Sequence, residues 1–161
     1  MRRSHLRERE ARKILEEFAL KLPISFEFSE LKSSIELAEV AGYEIFYSHG
    51  KPIFAKFRKR LFPTLTNEEL INRLPKAIVD MGAVAHVCNG ADIMAPGITR
   101  FQGTFQEEDT VVVADERHRR PLAVAFSLFD VVEARKTKEG KILVNLHYVG
   151  DKLWTLTKTE R

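Results

Sequence analysis

The sequence predicts an α+β protein in which a small N-terminal α+β unit packs on a second half that is mostly β. Three observations predict this fold class: a helical period near the N-terminus, alternating apolar and polar residues over 34–63, and short β-type runs after Pro75. The chain has 161 residues, 44% of them hydrophobic, which suffices for one ordinary domain or two small ones with a buried core.

The first half begins with a predicted helix, which a three-stranded meander follows. Apolar residues recur on a helical period between Ser4 and Lys21, as is typical of an amphipathic helix. Residues 34–63 alternate with period two, and Ala41-Gly42 and His49-Gly50 interrupt them as turns. This pattern predicts three antiparallel strands.

A second helix and a domain boundary are expected around Pro75. Thr66 and Glu69 have the spacing of a capping box, so the helix should begin at Thr66 and end before the proline. The next apolar run follows almost at once. We therefore expect two domains, residues 1–75 and 76–161, in direct contact.

The second half reads as a small barrel or sandwich, because short apolar runs alternate with Gly, Pro or charged breaks. The runs predicted to be strands are "GAVAHVC" (82–88), "TVVVAD" (110–115), "PLAVAFSLF" (121–129), "KILVNLHY" (141–148) and "KLWTLTK" (152–158).

Composition excludes several classes of protein. The single cysteine, Cys88, cannot form a disulfide framework or an all-cysteine zinc site. No apolar run approaches the ~18 residues that span a bilayer. The N-terminal segment "MRRSHLREREARK" lacks the apolar core of a secretory signal. A cytoplasmic protein without a membrane partner is expected.

Catalytic motifs are missing from the sequence. It has no G-x-S-x-G elbow, no Walker A sequence and no dinucleotide-binding glycine pattern, and no two histidines share ligand spacing on one helix. His86 and Cys88 lie in an apolar run that is predicted to be a strand, so buried structural roles are favoured over catalytic ones. We expect a protein that is not an enzyme and has no cofactor or metal site.

The net charge of +3 is modest, so nucleic-acid binding would depend on local patches. The first 76 residues carry 15 Lys/Arg against 11 Asp/Glu, and the rest carry 11 against 12. The stretch "KPIFAKFRKR" (51–60) has five cations and no acid, which favours phosphate binding over the alternative of a charge-protected sheet edge. The residues expected to contact phosphate are Lys56, Arg58, Lys59 and Arg60.

Two further expectations concern these basic stretches. Alternation within the first stretch puts Ile53, Ala55 and Phe57 on the core face and leaves Phe54 mostly outside. The second stretch, "ERHRR" (116–120), fits exposed loop cations and a phosphate contact equally well. Its three arginines would form a rim with Arg100 if all four share a face.

The segment "NGADIMAPGITRF" (89–101) brackets an apolar turn with glycines. Gly90 is expected to follow a strand, and a short helical turn should lead to a tight turn at Pro96-Gly97. Gly97 would take a positive φ, as the third position of a type II turn requires. Main-chain N–H groups exposed in such a turn can donate to phosphate oxygens.

Side chains around this turn are compatible with two roles, contact with a ligand and packing within the fold. Arg100 is placed to pair with a phosphate, while Met94 and Ile98 offer an apolar surface on which a base could rest. The alternative, a plain connector whose Met94 and Ile98 plug the end of the barrel, is equally compatible with the pattern.

A family resemblance rests on three of these stretches. "MGAVAHVCNGADIMAPGI" (81–98) resembles the opening of a PUA domain, an RNA-binding module, and "LHYVGDKLW" (146–154) is similar to its closing strand pair. With "LFPTL" (61–65) and the short helix after it, the order resembles the pre-PUA and PUA halves of the malignant-T-cell-amplified-sequence family and its archaeal relatives.

The resemblance implies a pseudobarrel that binds structured RNA, tRNA or ribosomal RNA, without catalysis. Relatives of this layout act in translation, at the acceptor end of tRNA on the small ribosomal subunit with an initiation-like partner protein. Lys152 and Trp154 would lie on or near the strand opposite the contacting loop, although a core position is favoured for Trp154. The implied contact residues in the loop are Gly90, Ala91, Asp92, Met94, Pro96, Gly97 and Ile98.

Two other functions remain compatible with the sequence. The meander or the first helix could dock a partner protein, or the chain could be an accessory subunit that delivers tRNA to an RNA-modifying enzyme. An exposed apolar patch on the meander would favour docking, and a continuous basic track across both halves would favour RNA binding.

Overall fold

The computed structural model describes residues 2–158, which form two β-sheets surrounded by helices and so confirm the α+β class. The first sheet contains, in both sequence and spatial order, β1 (Ser4–His5), β2 (Ile35–Val40), β3 (Tyr43–Ser48), β4 (Lys51–Phe57) and β5 (Arg60–Pro63). The second contains β6 (Lys76–Val79), β7 (Ile93–Met94), β8 (Ile98–Gln102), β9 (Thr110–Asp115), β10 (Pro121–Ser127) and β11 (Lys141–Tyr148).

The second sheet has the spatial order β7-β11-β10-β9-β6-β8 and is antiparallel except between β6 and β9. It curls into the half-barrel that the pseudobarrel prediction anticipates. The α-helices are α1 (Glu8–Ala19), α2 (Glu68–Arg73), α3 (Met81–Val87), α4 (Val131–Lys136) and α5 (Lys152–Lys158).

Helix α1 confirms the first predicted helix, although it begins later than Ser4. The main-chain N–H of Arg7 donates to the Glu10 carboxylate at 3.3 Å at the start of the helix, while Ser4 and His5 pair with β2 instead. Its apolar face packs against the first sheet, where the ring of Phe18 stacks on that of Phe54 with 4.3 Å between centroids.

The meander has one strand more than predicted. Arg58 and Lys59 adopt positive φ angles of 52° and 68°, so they form a tight turn that separates β4 from β5. The prediction that Phe54 lies mostly outside is wrong. Phe54 is fully buried between Phe18 and Phe46, because both faces of β4 are covered.

Helix α2 forms where predicted and ends before Pro75, but the prediction of a capping box at Thr66 and Glu69 is wrong. The N-cap residue is Asn67, and its side-chain amide donates to the carbonyl of Ile53 at 3.1 Å rather than capping the helix. The Thr66 hydroxyl donates to that of Thr64 at 3.2 Å. These hydrogen bonds attach the helix start to the first sheet.

Two of the five strands predicted in the second half are helices. Residues 82–88 lie in α3 and at its C-terminal end, and residues 152–158 form α5. An aspartate caps each helix: Asp80 accepts from the N–H of Ala83 at 2.9 Å, and Asp151 from that of Trp154 at 2.7 Å. Each cap accepts a hydrogen bond from an N–H group at the start of its helix, which in a strand would pair with a neighbouring strand. In a short apolar run, this cap favours the helix.

The helical assignment also changes the surroundings of His86 and Cys88. His86 is exposed on α3 rather than buried in a strand. Cys88 is half-buried at the end of the helix, where its main-chain N–H donates to the carbonyl of Val84. Burial raises the pKa of the Cys88 thiol, which favours the neutral form.

The two halves share their packing. Val112, Val124 and Leu153 of the second half belong to the buried cluster of the first half. Arg60 adds a polar contact, because its guanidinium lies 3.5 Å from the ring centroid of Phe126 and donates to the Glu108 carbonyl at 2.8 Å. We propose a domain boundary after Pro75, with this joint core across it.

A buried histidine joins the halves through hydrogen bonds. His147 Nε2 accepts from the main-chain N–H of Leu65 at 3.1 Å, while Nδ1 lies 2.9 Å from a carboxylate oxygen of Asp151. This arrangement places the imidazole proton on Nδ1. Burial would raise the pKa of Asp151, but hydrogen bonds from His147 and two main-chain N–H groups outweigh that effect and lower it.

We predict that His147→Leu destabilises the whole protein. The substitution removes the acceptor for the Leu65 N–H and leaves the Asp151 carboxylate buried without its partner, which should cost about 3–5 kcal/mol in the free energy of unfolding. Urea denaturation followed by circular dichroism measures the loss. The exposed His86→Leu is the control, with an expected change within ~0.5 kcal/mol. Similar losses in both variants would contradict this role of His147.

Candidate nucleic-acid interface

The loop that was predicted to contact RNA follows a helix end rather than a strand. Gly90 has a φ of +92° and terminates α3, with its N–H donating to the Val87 carbonyl at 3.0 Å and the next N–H, of Ala91, to the His86 carbonyl at 3.0 Å. A Cβ at Gly90 would lie 3.2 Å from the Tyr148 ring. Gly90 is therefore required by the fold itself.

Polar groups after Gly90 fix the loop against β11. Asp92 Oδ1 accepts from the main-chain N–H of Asn145 at 2.9 Å, and Oδ2 lies 2.8 Å from the Lys141 ammonium. The Asn145 amide in turn donates to the carbonyls of Val87 and Ala91 at 3.1 and 2.9 Å. The Ala91 carbonyl and the Asp92 carboxylate thus fix the position of the residues that follow them.

An apolar edge follows, formed by β7 and a 3₁₀ turn at Ala95–Gly97. Met94 is 46% exposed, Pro96 is exposed and Ile98 is half-buried, so these three side chains present apolar surface. We call Met94–Ile98 the ledge. The alternative that Met94 and Ile98 plug the barrel is therefore contradicted for Met94, which is exposed, but not for Ile98, which packs against the core of the second half.

The predicted positive φ of Gly97 is wrong, since the residue belongs to the 3₁₀ turn rather than to a type II turn. Its lack of a side chain serves packing instead. A Cβ there would lie 3.2 Å from that of Ala83, and the Gly97 carbonyl accepts from the N–H of Asp80 at 2.9 Å. Gly97 lets the ledge approach the start of α3.

A groove of about 370 Å³ runs between the ledge and the region around α4. On one side it is lined by Ala95, Pro96, Ile98, Thr99, Arg100 and Phe101, and on the other by Ala134, Arg135, Thr137, Lys138 and Ile142. Three of these residues are cations and none carries a carboxylate. We call it the basic groove. A site of this kind attracts anions and offers apolar surface beside them.

Sequence reasoning missed the α4 side of this groove. Arg135, Thr137 and Lys138 lie between two predicted strands, and only the fold brings them opposite the ledge. The run "EARKTKEGK" (133–141), with four cations in nine residues, was the available signal.

Two arginines meet beside the groove. With the Gln102 amide oriented to satisfy its hydrogen bonds, its oxygen accepts from Arg100 at 3.0 Å and from Arg119 at 2.8 Å. Of the four arginines of the expected rim, these two guanidiniums are thus brought together around one neutral oxygen. Because like charges held this close repel each other, an anion would stabilise the pair.

The loop that carries Arg119 is held by the buried Asp115. Its carboxylate accepts from the main-chain N–H groups of Arg117, His118 and Arg120 at 3.0, 2.6 and 3.1 Å. Burial would raise the pKa of Asp115, but these hydrogen bonds outweigh it and lower the pKa. The charged carboxylate therefore keeps an exposed basic loop in one conformation.

Lys152 and Trp154 are expected on or near the strand opposite the loop, and the structure places them just after the end of the last strand, β11, rather than on it. Both belong to α5. Trp154 is half-buried against the core of the first half, whereas Ala95 and Ile98 pack against the core of the second. The structure thus supports the favoured core position of Trp154.

The cations of the meander divide into two groups. Arg58 and Lys59 are exposed at the β4–β5 turn, and Lys56 is half-buried in β4. Arg60 instead contacts Glu108 and Phe126, so its guanidinium takes part in the contact between the halves. Besides Lys51 at the start of β4, only the turn presents fully exposed cations from this stretch.

Within residues 2–158, no group of three or more His, Cys, Asp or Glu side chains could hold a metal ion. None of the helices in this range is long and apolar enough to cross a membrane.

The curled second sheet, α3 and the loop after it define a PUA domain, and the PUA domain family matches residues 75–149. The chain is 36% identical over 156 residues to an uncharacterized protein of Methanocaldococcus jannaschii, covering 95% of each chain. It is 30% identical over 137 residues to translation machinery-associated protein 20 of Saccharomyces cerevisiae, covering 78% of this chain and 74% of that protein.

A solved structure agrees with these sequence relatives. The crystal structure of a hypothetical protein from Pyrococcus horikoshii superposes with a TM-score of 0.77 at 28% identity, over 97% of this chain and 99% of that one. The chain belongs to the PUA-domain family that includes translation machinery-associated protein 20 and the malignant T-cell-amplified sequence proteins. The predicted resemblance is confirmed.

We predict that Gly90→Ala destabilises the protein more than Gly140→Ala. Both glycines have positive φ angles, +92° and +85°, but a Cβ would meet the Tyr148 ring only at Gly90. The strained φ should cost about 1–2 kcal/mol at either position, and the contact about 1 kcal/mol more at Gly90. Urea denaturation compares the two variants. Equal losses would show that packing against Tyr148 does not constrain the loop.

Proposed function

We propose that this protein binds structured RNA without catalysing a reaction on it, and that the basic groove with its ledge is the binding site. The observation that carries this proposal is the groove lining, in which Arg100, Arg135 and Lys138 stand beside the exposed Pro96 and half-buried apolar residues, without a carboxylate. Arginine and lysine pair with backbone phosphates, and flat apolar surfaces receive unstacked bases.

The residues of the loop take two roles in this proposal. Gly90, Ala91, Asp92 and Gly97 hold the ledge in place, while Met94, Pro96 and Ile98 meet a base and Arg100 a phosphate. Arg119 adds a second guanidinium beside Arg100. Two guanidiniums fit the oxygens of one phosphate or of two neighbouring ones better than ammonium groups do, because their donors are planar and forked.

A translation setting follows from the relatives. One of them is named as a protein associated with the translation machinery, and Met94 and Pro96 of the ledge are exposed, so they offer apolar surface to a single-stranded end. We infer that the ligand is tRNA or ribosomal RNA, with the acceptor end of tRNA as the first candidate. The small ribosomal subunit and an initiation-like partner protein belong to the same inference.

A second contact is assigned to the β4–β5 turn. Arg58 and Lys59 are both exposed there, and the turn has no acidic residue. We infer that it meets phosphates of the same RNA away from the groove. Lys56 is less accessible, and Arg60 is excluded from this role because its guanidinium is used between the halves.

We predict that Arg100→Glu with Lys138→Glu weakens binding of labelled tRNA by about tenfold or more and lowers the slope of log K against log salt by about 2, one for each lost phosphate contact. Fluorescence anisotropy across a salt series measures both quantities. The matched control is Arg12→Glu with Lys13→Glu on α1, which changes the net charge equally at two exposed positions.

Equal losses in the two double variants would contradict a localised site, because they would indicate binding through overall charge. The same assay with tRNA that lacks its 3′ single-stranded nucleotides tests the ledge. Truncation should weaken binding to the unmodified protein and have little effect on Met94→Ser with Pro96→Ser. If binding ignores the RNA end in every variant, the ledge is not the site of a single-stranded end.

A further inference from the structure

A second and larger groove lies on the first half of the protein. It encloses about 890 Å³ between the β3–β4 turn, the segment 26–31 and the start of α2. Pro52 and Ile53, both buried, form its base. Its volume lies near the upper end of the ~300–1,000 Å³ that binding clefts enclose. It shares no lining residue with the basic groove.

The charge of this groove is opposite to the net charge of the first 76 residues. Four carboxylates line it, from Glu27, Glu30, Glu68 and Glu69, together with one lysine, Lys51. Yet the first 76 residues have more cations than acids, 15 against 11. More than a third of their acidic residues therefore line one cleft. We call it the acidic groove. Its field repels phosphates, so RNA is not its ligand.

The carboxylates do not converge on one point. Within residues 2–158, no set of three or more His, Cys, Asp or Glu side chains is close enough to hold a metal ion. The charges are instead distributed on two sides of the groove, two from the segment 26–31 and two from the first turn of α2. Such spacing suits a ligand with several separated positive charges.

Apolar side chains line the groove together with these charges. Phe26 and Leu31 lie beside the glutamates of the segment 26–31, above the base formed by Pro52 and Ile53. Phe26 is held in place by Phe28, with 4.5 Å between ring centroids, and by the Arg73 guanidinium at 5.0 Å. A polyamine would leave these apolar surfaces uncovered, whereas an extended peptide can bury alternate side chains against them.

We propose that the acidic groove binds an extended segment of a partner protein in which Lys or Arg residues alternate with apolar residues. The cations pair with the glutamates of the rim, and the apolar side chains contact the base and Phe26. This interaction does not depend on RNA binding through the basic groove. Two oppositely charged sites would let the protein hold RNA and a basic polypeptide at once.

The probe is a fluorescein-labelled octapeptide of alternating lysine and leucine, titrated with the full chain and followed by anisotropy. A matched lysine–serine peptide should bind about tenfold more weakly because it has no apolar side chains. The double variant Glu30→Lys with Glu69→Lys should bind the lysine–leucine peptide about tenfold more weakly because rim charges are reversed. The control, Glu16→Lys with Glu39→Lys, has the same net charge and should bind like the unmodified protein.

Two results would overturn the proposal: equal affinity of the groove and control variants, or equal affinity for both peptides. Equal binding of the two peptides would indicate a site for polycations in general. Labelled tRNA, titrated against the same variants, separates this proposal from RNA binding, because the groove variant should keep its tRNA affinity. Circular dichroism verifies that each variant keeps its fold, as expected for substitutions of exposed residues.

Discussion

The buried imidazole of His147 is the contact on which the arrangement of the two halves depends. It accepts a hydrogen bond from Leu65 in the first half and donates to Asp151, which in turn caps α5. The same strand, β11, carries Asn145, whose amide and main chain hold the loop that leads to the ledge. Because β11 carries both His147 and Asn145, this one strand fixes the position of the ledge relative to the meander. A polar group this deep is tolerated because its ring nitrogens both have partners.

Charge is distributed over the surface in a way that overall composition conceals. A net charge of +3 would suggest a weak, diffuse attraction for nucleic acid. The fold instead concentrates cations in one groove and carboxylates in another. Arg60 illustrates the difference between a basic sequence and a basic surface, because its guanidinium is half-buried against Phe126 while its neighbours Arg58 and Lys59 are exposed. Separate fields of opposite sign permit two ligands of different chemistry.

Sequence patterns predicted most elements, including the long periodic ones, and assigned two short runs to the wrong conformation. The alternation of residues 34–63 identified the meander, since a period of two specifies a half-buried strand. The seven-residue runs at 82–88 and 152–158 are too short to show a period. They are helical because an aspartate caps the N-terminus of each. The ledge was located by its composition, but the basic groove was not. Its opposite side, around α4, lies more than thirty residues further along the chain and meets the ledge only in the folded protein.

Hydrogen–deuterium exchange with and without tRNA would test most directly whether RNA lies in the basic groove against the ledge. Slower exchange of main-chain amides is expected in residues 94–101 and 134–138 when tRNA is bound, with the segment 26–31 and the β3–β4 turn unchanged. Protection at the acidic groove alone, or none at the ledge under conditions where tRNA is bound, would contradict this location of the RNA.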